Sequence, residues 1–174
     1  NFAQGEMMML VAYIAFTLSG TLKMGFWPML LCTIFLAMLI GLLLEVLLIR
    51  PMLGQPVFSI VMVTIGLSVI LRSAVVLIWG ADPMPMDAGL STEIIRIGPA
   101  GLYQAHLYGM GLMAAVLLGL WLFFRYSRVG IAMRATANVQ TAALLMGINV
   151  KRIFALSWAL SAGLAAIAGV LVGV

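Results

Sequence analysis

The stretch RYSRVGIAMRATANVQTAALLMGINVKR, residues Arg125 to Arg152, decides how the chain is read. It is the one long polar, basic run, carrying Arg125, Arg128, Arg134, Lys151 and Arg152 with no acid among them. On either side stand apolar runs of about 20 residues, the length a helix needs to cross a bilayer. Basic residues between two such runs speak for topology rather than a nucleic-acid surface, because cytoplasmic loops carry an excess of Lys and Arg. The basic run is therefore expected on the cytoplasmic face.

Its local chemistry predicts a short helix. Asn138 is a suitable N-cap, with Thr141 three residues on as a weak capping box. The helix then runs through Ala142-Ala143-Leu144-Leu145-Met146 and stops at Gly147, the residue expected where a helix ends left-handed. Ile148 is placed to add an apolar contact, and Asn149 to cap the helix that follows.

The rest of the chain is almost unbroken hydrocarbon. Of 174 residues 65% are hydrophobic and 8% charged, and the mean hydropathy is +1.23. A water-soluble domain must cover its outside with polar groups, which this composition does not supply. Apolar runs cover about Met7–Leu22, Phe26–Ile49, Val57–Trp79, His106–Phe124 and Ile153–Val174, without the short alternating segments of a barrel. The expected fold is an all-α polytopic membrane protein with about five transmembrane helices. Asn1 at one end and an apolar run at the other suggest a fragment of something longer.

Several polar positions interrupt the hydrocarbon. Asn1-Phe2-Ala3-Gln4-Gly5-Glu6 reads either as the start of a broken or re-entrant helix or as a plain water-exposed helix end. Glu45 and Arg50 are five apart, a poor helical spacing, so snorkelling to the headgroups is expected ahead of pairing. Arg50, Pro51, Gly54 and Pro56 end the second run. Thr64, Gly66 and Ser68 lie inside the third, and Arg72 is expected to snorkel toward the Trp79 end. Gly80–Gln104 reads as an irregular loop in which Asp82, Asp87 and Glu93 outweigh Arg96. Alternation puts this 80–104 loop outside, in the periplasm, with Lys23 alone arguing against.

Other residues carry less. His106 sits at a span boundary and reads as interfacial. Cys32 is alone in an apolar run, so no disulfide framework or metal site is implied, and the fourteen Met residues read as flexible filler between helices. In the last span Ser157, Ser161, Ala165, Gly169 and Gly173 recur at every fourth position, the spacing that lets helix backbones approach closely in lipid. No nucleophile–base or metal constellation suggests an enzyme. No G-x-x-x-x-G-K-[ST] phosphate loop occurs, so ATP is not bound here by that route.

Taken in order, Asn1-Phe2-Ala3-Gln4-Gly5-Glu6, Glu45 with Arg50-Pro51, Thr64-Ile65-Gly66-Leu67-Ser68, Arg125-Tyr126-Ser127-Arg128-Val129-Gly130, Met133-Arg134-Ala135 and Ala142 through Asn149 resemble the LivH/LivM permeases, and LivH more than LivM. These are the membrane subunits of ABC importers for branched-chain amino acids. The resemblance implies that residues 1–174 are one transmembrane permease domain of a bacterial inner membrane protein, with 125–152 as its cytoplasmic coupling loop. It implies as partners two cytoplasmic ATPases that bind the ATP, a second permease and a periplasmic binding protein, besides membrane lipid. Thr141, Ala142, Ala143, Leu145, Met146 and Gly147 then become an ATPase-coupling helix. They keep the spacing of the importers' EAA-x3-G motif but have Thr where it has Glu, and the Ile-x-Leu-Pro that follows in the wider pattern is absent. Arg125, Arg128, Arg134, Lys151 and Arg152 are its basic flank.

For the translocation path the candidates are Gln4, Gly5, Glu6, Thr64, Gly66 and Ser68, since a zwitterion needs few fixed charges and some backbone dipoles. A related importer of sugars, urea or nucleosides is the nearest alternative. A secondary transporter or channel is further off, because intramembrane acids suited to a proton relay are scarce.

Overall fold

The computed structural model describes residues 1–82, 94–97 and 100–173. They fall into two compact units, one of Asn1–Gly89 with Trp158–Val174 and one of Leu90–Ser157. Five helical segments among the described residues are 19 to 27 residues long and apolar enough to cross a membrane.

In the first unit α1 (Gln4–Leu22) turns at Lys23–Gly25 into α2 (Phe26–Leu44), and α3 (Val57–Trp79) follows Pro56. The outer part of α7 (Val150–Gly173) completes it. Each helix buries one stripe: Met7, Val11 and Ala15 on α1, and Thr64, Leu67, Leu71 and Val75 on α3. Spacings of three and four keep such residues on one helical face. Small residues of α7 let two neighbours come close. A Cβ on Gly169 would stand 2.6 Å from the Met8 carbonyl oxygen, and one on Gly41 would stand 2.7 Å from both the Trp158 carbonyl oxygen and Ala162 Cβ. Ile70, Leu77 and Ile78 remain exposed on α3, a surface that hydrocarbon accepts and water does not.

The end of α2 departs from expectation. Glu45–Ile49 winds as a π-helix and Arg50–Met52 as a 3-10 turn, with the Arg50 N–H donating to the Glu45 carbonyl five residues back. A π-turn brings i and i+5 together. Arg50 Nη2 therefore donates to Glu45 Oε2 at 3.1 Å, and the Glu45 side chain is 0% exposed. The pair forms where snorkelling was expected.

The second unit begins with a two-stranded antiparallel ribbon, β1 (Ile94–Ile97) on β2 (Ala100–Tyr103), within the loop expected to be irregular. Asp87 and Glu93 lie outside the described residues. Next come α4 (Gln104–Tyr126), which starts just before His106, then α5 (Arg128–Asn138), α6 (Gln140–Leu145) and the first turns of α7. The basic run thus holds two helices where one was expected. Ser127 caps α5, its Oγ accepting from the Gly130 N–H at 2.9 Å. Asn138, the expected cap of α6, is instead the last residue of α5, and Val139 precedes α6 without a side-chain cap bond.

Candidate functional site

Polar groups of the first unit gather where α1 begins. Phe2 and Ala3 form a turn leading into α1, with the Ala3 N–H donating to Asn1 Oδ1 at 3.1 Å. The Phe2 N–H donates to Thr64 Oγ1 at 3.3 Å, and that hydroxyl donates in turn to the Val61 carbonyl at 2.9 Å. Gln4 meets α7 twice: Ser161 Oγ donates to Gln4 Oε1 at 2.9 Å, and Gln4 Nε2 donates to the Ser161 carbonyl at 3.2 Å. The Phe2 N–H, Gln4, Thr64 and Ser161 thereby all have partners beside the apolar core, as burial requires.

These contacts fix a register. Ser161 is near the middle of α7, and Thr64 lies seven residues into α3, or about 10 Å along it at 1.5 Å per residue. Gln4 is therefore level with the interior of two neighbouring spans. Trp79 Nε1 donates to Thr17 Oγ1 at 2.9 Å, and the Trp79 and Tyr13 ring centroids are 5.5 Å apart, so α1 and α3 stay parallel along their length.

Arg72 does not snorkel toward Trp79. Its Nη2 donates to Glu6 Oε1 at 2.6 Å; the Arg72 side chain is 69% exposed and that of Glu6 14%. Glu6, a candidate path residue, thus has a partner 66 positions away in sequence. Gly5 and Gly66 are both exposed, with nothing within 4 Å of where a Cβ would be. Ser68 turns its hydroxyl back to the Ile65 carbonyl at 2.7 Å. Of the expected path residues, then, Gln4 and Glu6 contact side chains of other helices, Thr64 receives the Phe2 N–H, and Gly5, Gly66 and Ser68 stand apart.

The residues named for close packing divide as well. Ser161 binds Gln4, Ala165 and Gly169 are buried, and Ser157 is exposed. Gly173 is exposed at the end of α7.

In the second unit α6 is short and open. Gly147 has φ +80°, a conformation that L side chains rarely adopt. Its N–H donates to the Leu144 carbonyl at 3.0 Å, and the Ile148 N–H donates to the Ala143 carbonyl at 3.0 Å, closing the helix. Asn149 Oδ1 accepts from the Arg152 N–H at 3.2 Å and opens α7. Ala143 is buried; Thr141 and Ala142 face outward, and Leu145 and Met146 are 85% and 82% exposed. Gly130 fixes how α5 leaves α4, since a Cβ there would stand 2.8 Å from Phe124 Cα. Arg125 lies over the Trp121 ring at 5.1 Å and the Tyr126 ring at 5.6 Å. Arg128, Arg134, Lys151 and Arg152 are exposed.

The family model described as branched-chain amino acid transport system / permease component matches residues 1–174. The chain belongs to that family. It is 30% identical to the high-affinity branched-chain amino acid transport system permease protein LivH of Salmonella typhimurium and to LivH of Escherichia coli K12. It is 31% identical to the corresponding BraD protein of Pseudomonas aeruginosa. Each match covers 99% of this chain and 60% of the relative, so the chain spans about 60% of the length of the curated relatives it matches. No solved structure matches the chain. With its apolar helices, membership makes this a multi-pass membrane protein of a transport permease family, which is not a family of enzymes.

Proposed function

We propose that the chain is the membrane-spanning part of a permease subunit in an ABC importer for branched-chain amino acids, driven by ATPases bound at α6. The match of residues 1–174 to the permease family carries the transport reading. The substrate follows from the names of LivH and BraD. Partner ATPases bind the ATP, a second permease completes the path, and a periplasmic binding protein delivers the solute. In this reading the chain lies in a bacterial inner membrane with residues 125–152 cytoplasmic.

The exposed apolar tip of α6 supports the coupling role. Leu145 and Met146 offer an anchor for a groove on a partner, which is how short amphipathic helices dock. The basic flank guides the encounter electrostatically. The test is uptake of radiolabelled leucine into proteoliposomes holding the full-length protein, its partner permease, the ATPases and the binding protein. ATP-dependent leucine uptake is expected. Uptake that proceeds without ATP, or ATP-dependent uptake of a sugar, urea or a nucleoside but not leucine, would overturn this reading.

A further inference from the structure

Glu6 and Arg72 form an ion pair between two helices read as membrane spans, and its two members differ sharply in exposure. A guanidinium within a span is stable against water or protein, not against lipid tails. Arg72 has five N–H donors, and among the described residues Glu6 is its hydrogen-bond partner. Ile65, Val69 and Val76 stand at i−7, i−3 and i+4 from Arg72, which puts all four on one helical face. All are exposed. The face thus presents one branched aliphatic surface with a paired charge in its middle.

We propose that Glu6 and Arg72 together form a binding position for a zwitterionic amino acid on the translocation path, with Arg72 holding the carboxylate and Glu6 the ammonium. The proposal rests on the transport reading above. An isolated charge in an apolar span is costly. A zwitterion avoids that cost, because it exchanges one ion pair for two and leaves no charge alone. The exposed guanidinium meets the incoming carboxylate first, in the planar geometry that suits bidentate binding. Glu6, closer to the core, receives the ammonium second. Val69 and Val76, one turn to either side of Arg72, are the aliphatic residues within reach of its side chain. A neutral sugar or urea would gain nothing from displacing this pair.

The experiment uses the complete importer in proteoliposomes, with leucine uptake and ATP hydrolysis measured on the same vesicles. Arg72→Gln is compared with Arg72→Lys and with the double variant Glu6→Gln/Arg72→Gln, in which two amides can still join the helices. The proposal expects Arg72→Gln and the double variant to lower leucine moved per ATP hydrolysed by about tenfold, the scale of one lost charge-assisted hydrogen bond. It expects Arg72→Lys to recover part of that loss. A double variant that moves leucine as efficiently as the unaltered importer would overturn the proposal. So would a parallel fall in uptake and hydrolysis that the amide pair restores, since that marks a helix clamp. An unaltered importer that shows no ATP-driven leucine uptake refutes the transport reading itself.

Discussion

Glu45 and Arg50 pair at 3.1 Å across a single π-turn, and the pairing is incomplete. Glu45 Oε1 and Arg50 Nε are both buried without a hydrogen-bond partner. Arg50 keeps 39% of its side chain exposed while Glu45 keeps none, so the two ends differ in what their loss leaves behind. Arg50→Ala strands a carboxylate in the core and should lower stability by about 3–5 kcal/mol. Glu45→Gln leaves a cation that can reach solvent and should cost less. Thermal unfolding in detergent gives the order; equal losses would contradict this geometry.

Two glycines of the first unit make opposite predictions. Gly169→Leu forces a side chain into the Met8 carbonyl and should destabilise by about 1–3 kcal/mol through overpacking. Gly66→Leu meets open space and should leave the melting temperature nearly unchanged. The pair checks the packing of α1 on α7 against a substitution of the same size.

The cap of α5 is testable by exchange. Ser127→Ala removes the acceptor of the Gly130 N–H and should lower local stability by about 1 kcal/mol, seen as faster hydrogen exchange in the first turn of α5. Asn138→Ala should not speed exchange in α6, because Asn138 ends the preceding helix.

At Gly147 the backbone separates two substitutions. Val is β-branched and strained at φ +80°, at a cost of about 1–3 kcal/mol, whereas Asn tolerates the left-handed region. On the proposed function, Gly147→Val in the reconstituted importer should reduce substrate-stimulated ATP hydrolysis and leucine uptake together, and Gly147→Asn should retain both. Leu145→Asp, at an exposed tip, should weaken ATPase retention on affinity purification without shifting the unfolding temperature of the permease.

Much of this architecture was legible because bilayer helices announce themselves by length and hydrocarbon. The Gly147 stop and the Asn149 cap are local chemistry within a few residues. What stayed hidden depends on distance or on an unusual turn. The partner of Arg72 is far away in sequence, so its depth in α3 suggested snorkelling. The Glu45–Arg50 spacing fails in an α-helix and succeeds only once the turn widens. Asn138 suits a cap because Asn favours that position, but the Ser127 cap starts a helix that runs to Asn138. Within the candidate site Thr64 and Gln4 were visible as polar interruptions. Which helix each would touch was not.

The Gln4 amide ties α1 to α7 through one side chain. It bonds both the hydroxyl and the carbonyl of Ser161, while the Phe2 N–H two residues earlier bonds Thr64 of α3. Turning α7 about its own axis would break both Gln4 bonds together, so this contact behaves as a latch rather than a sliding surface.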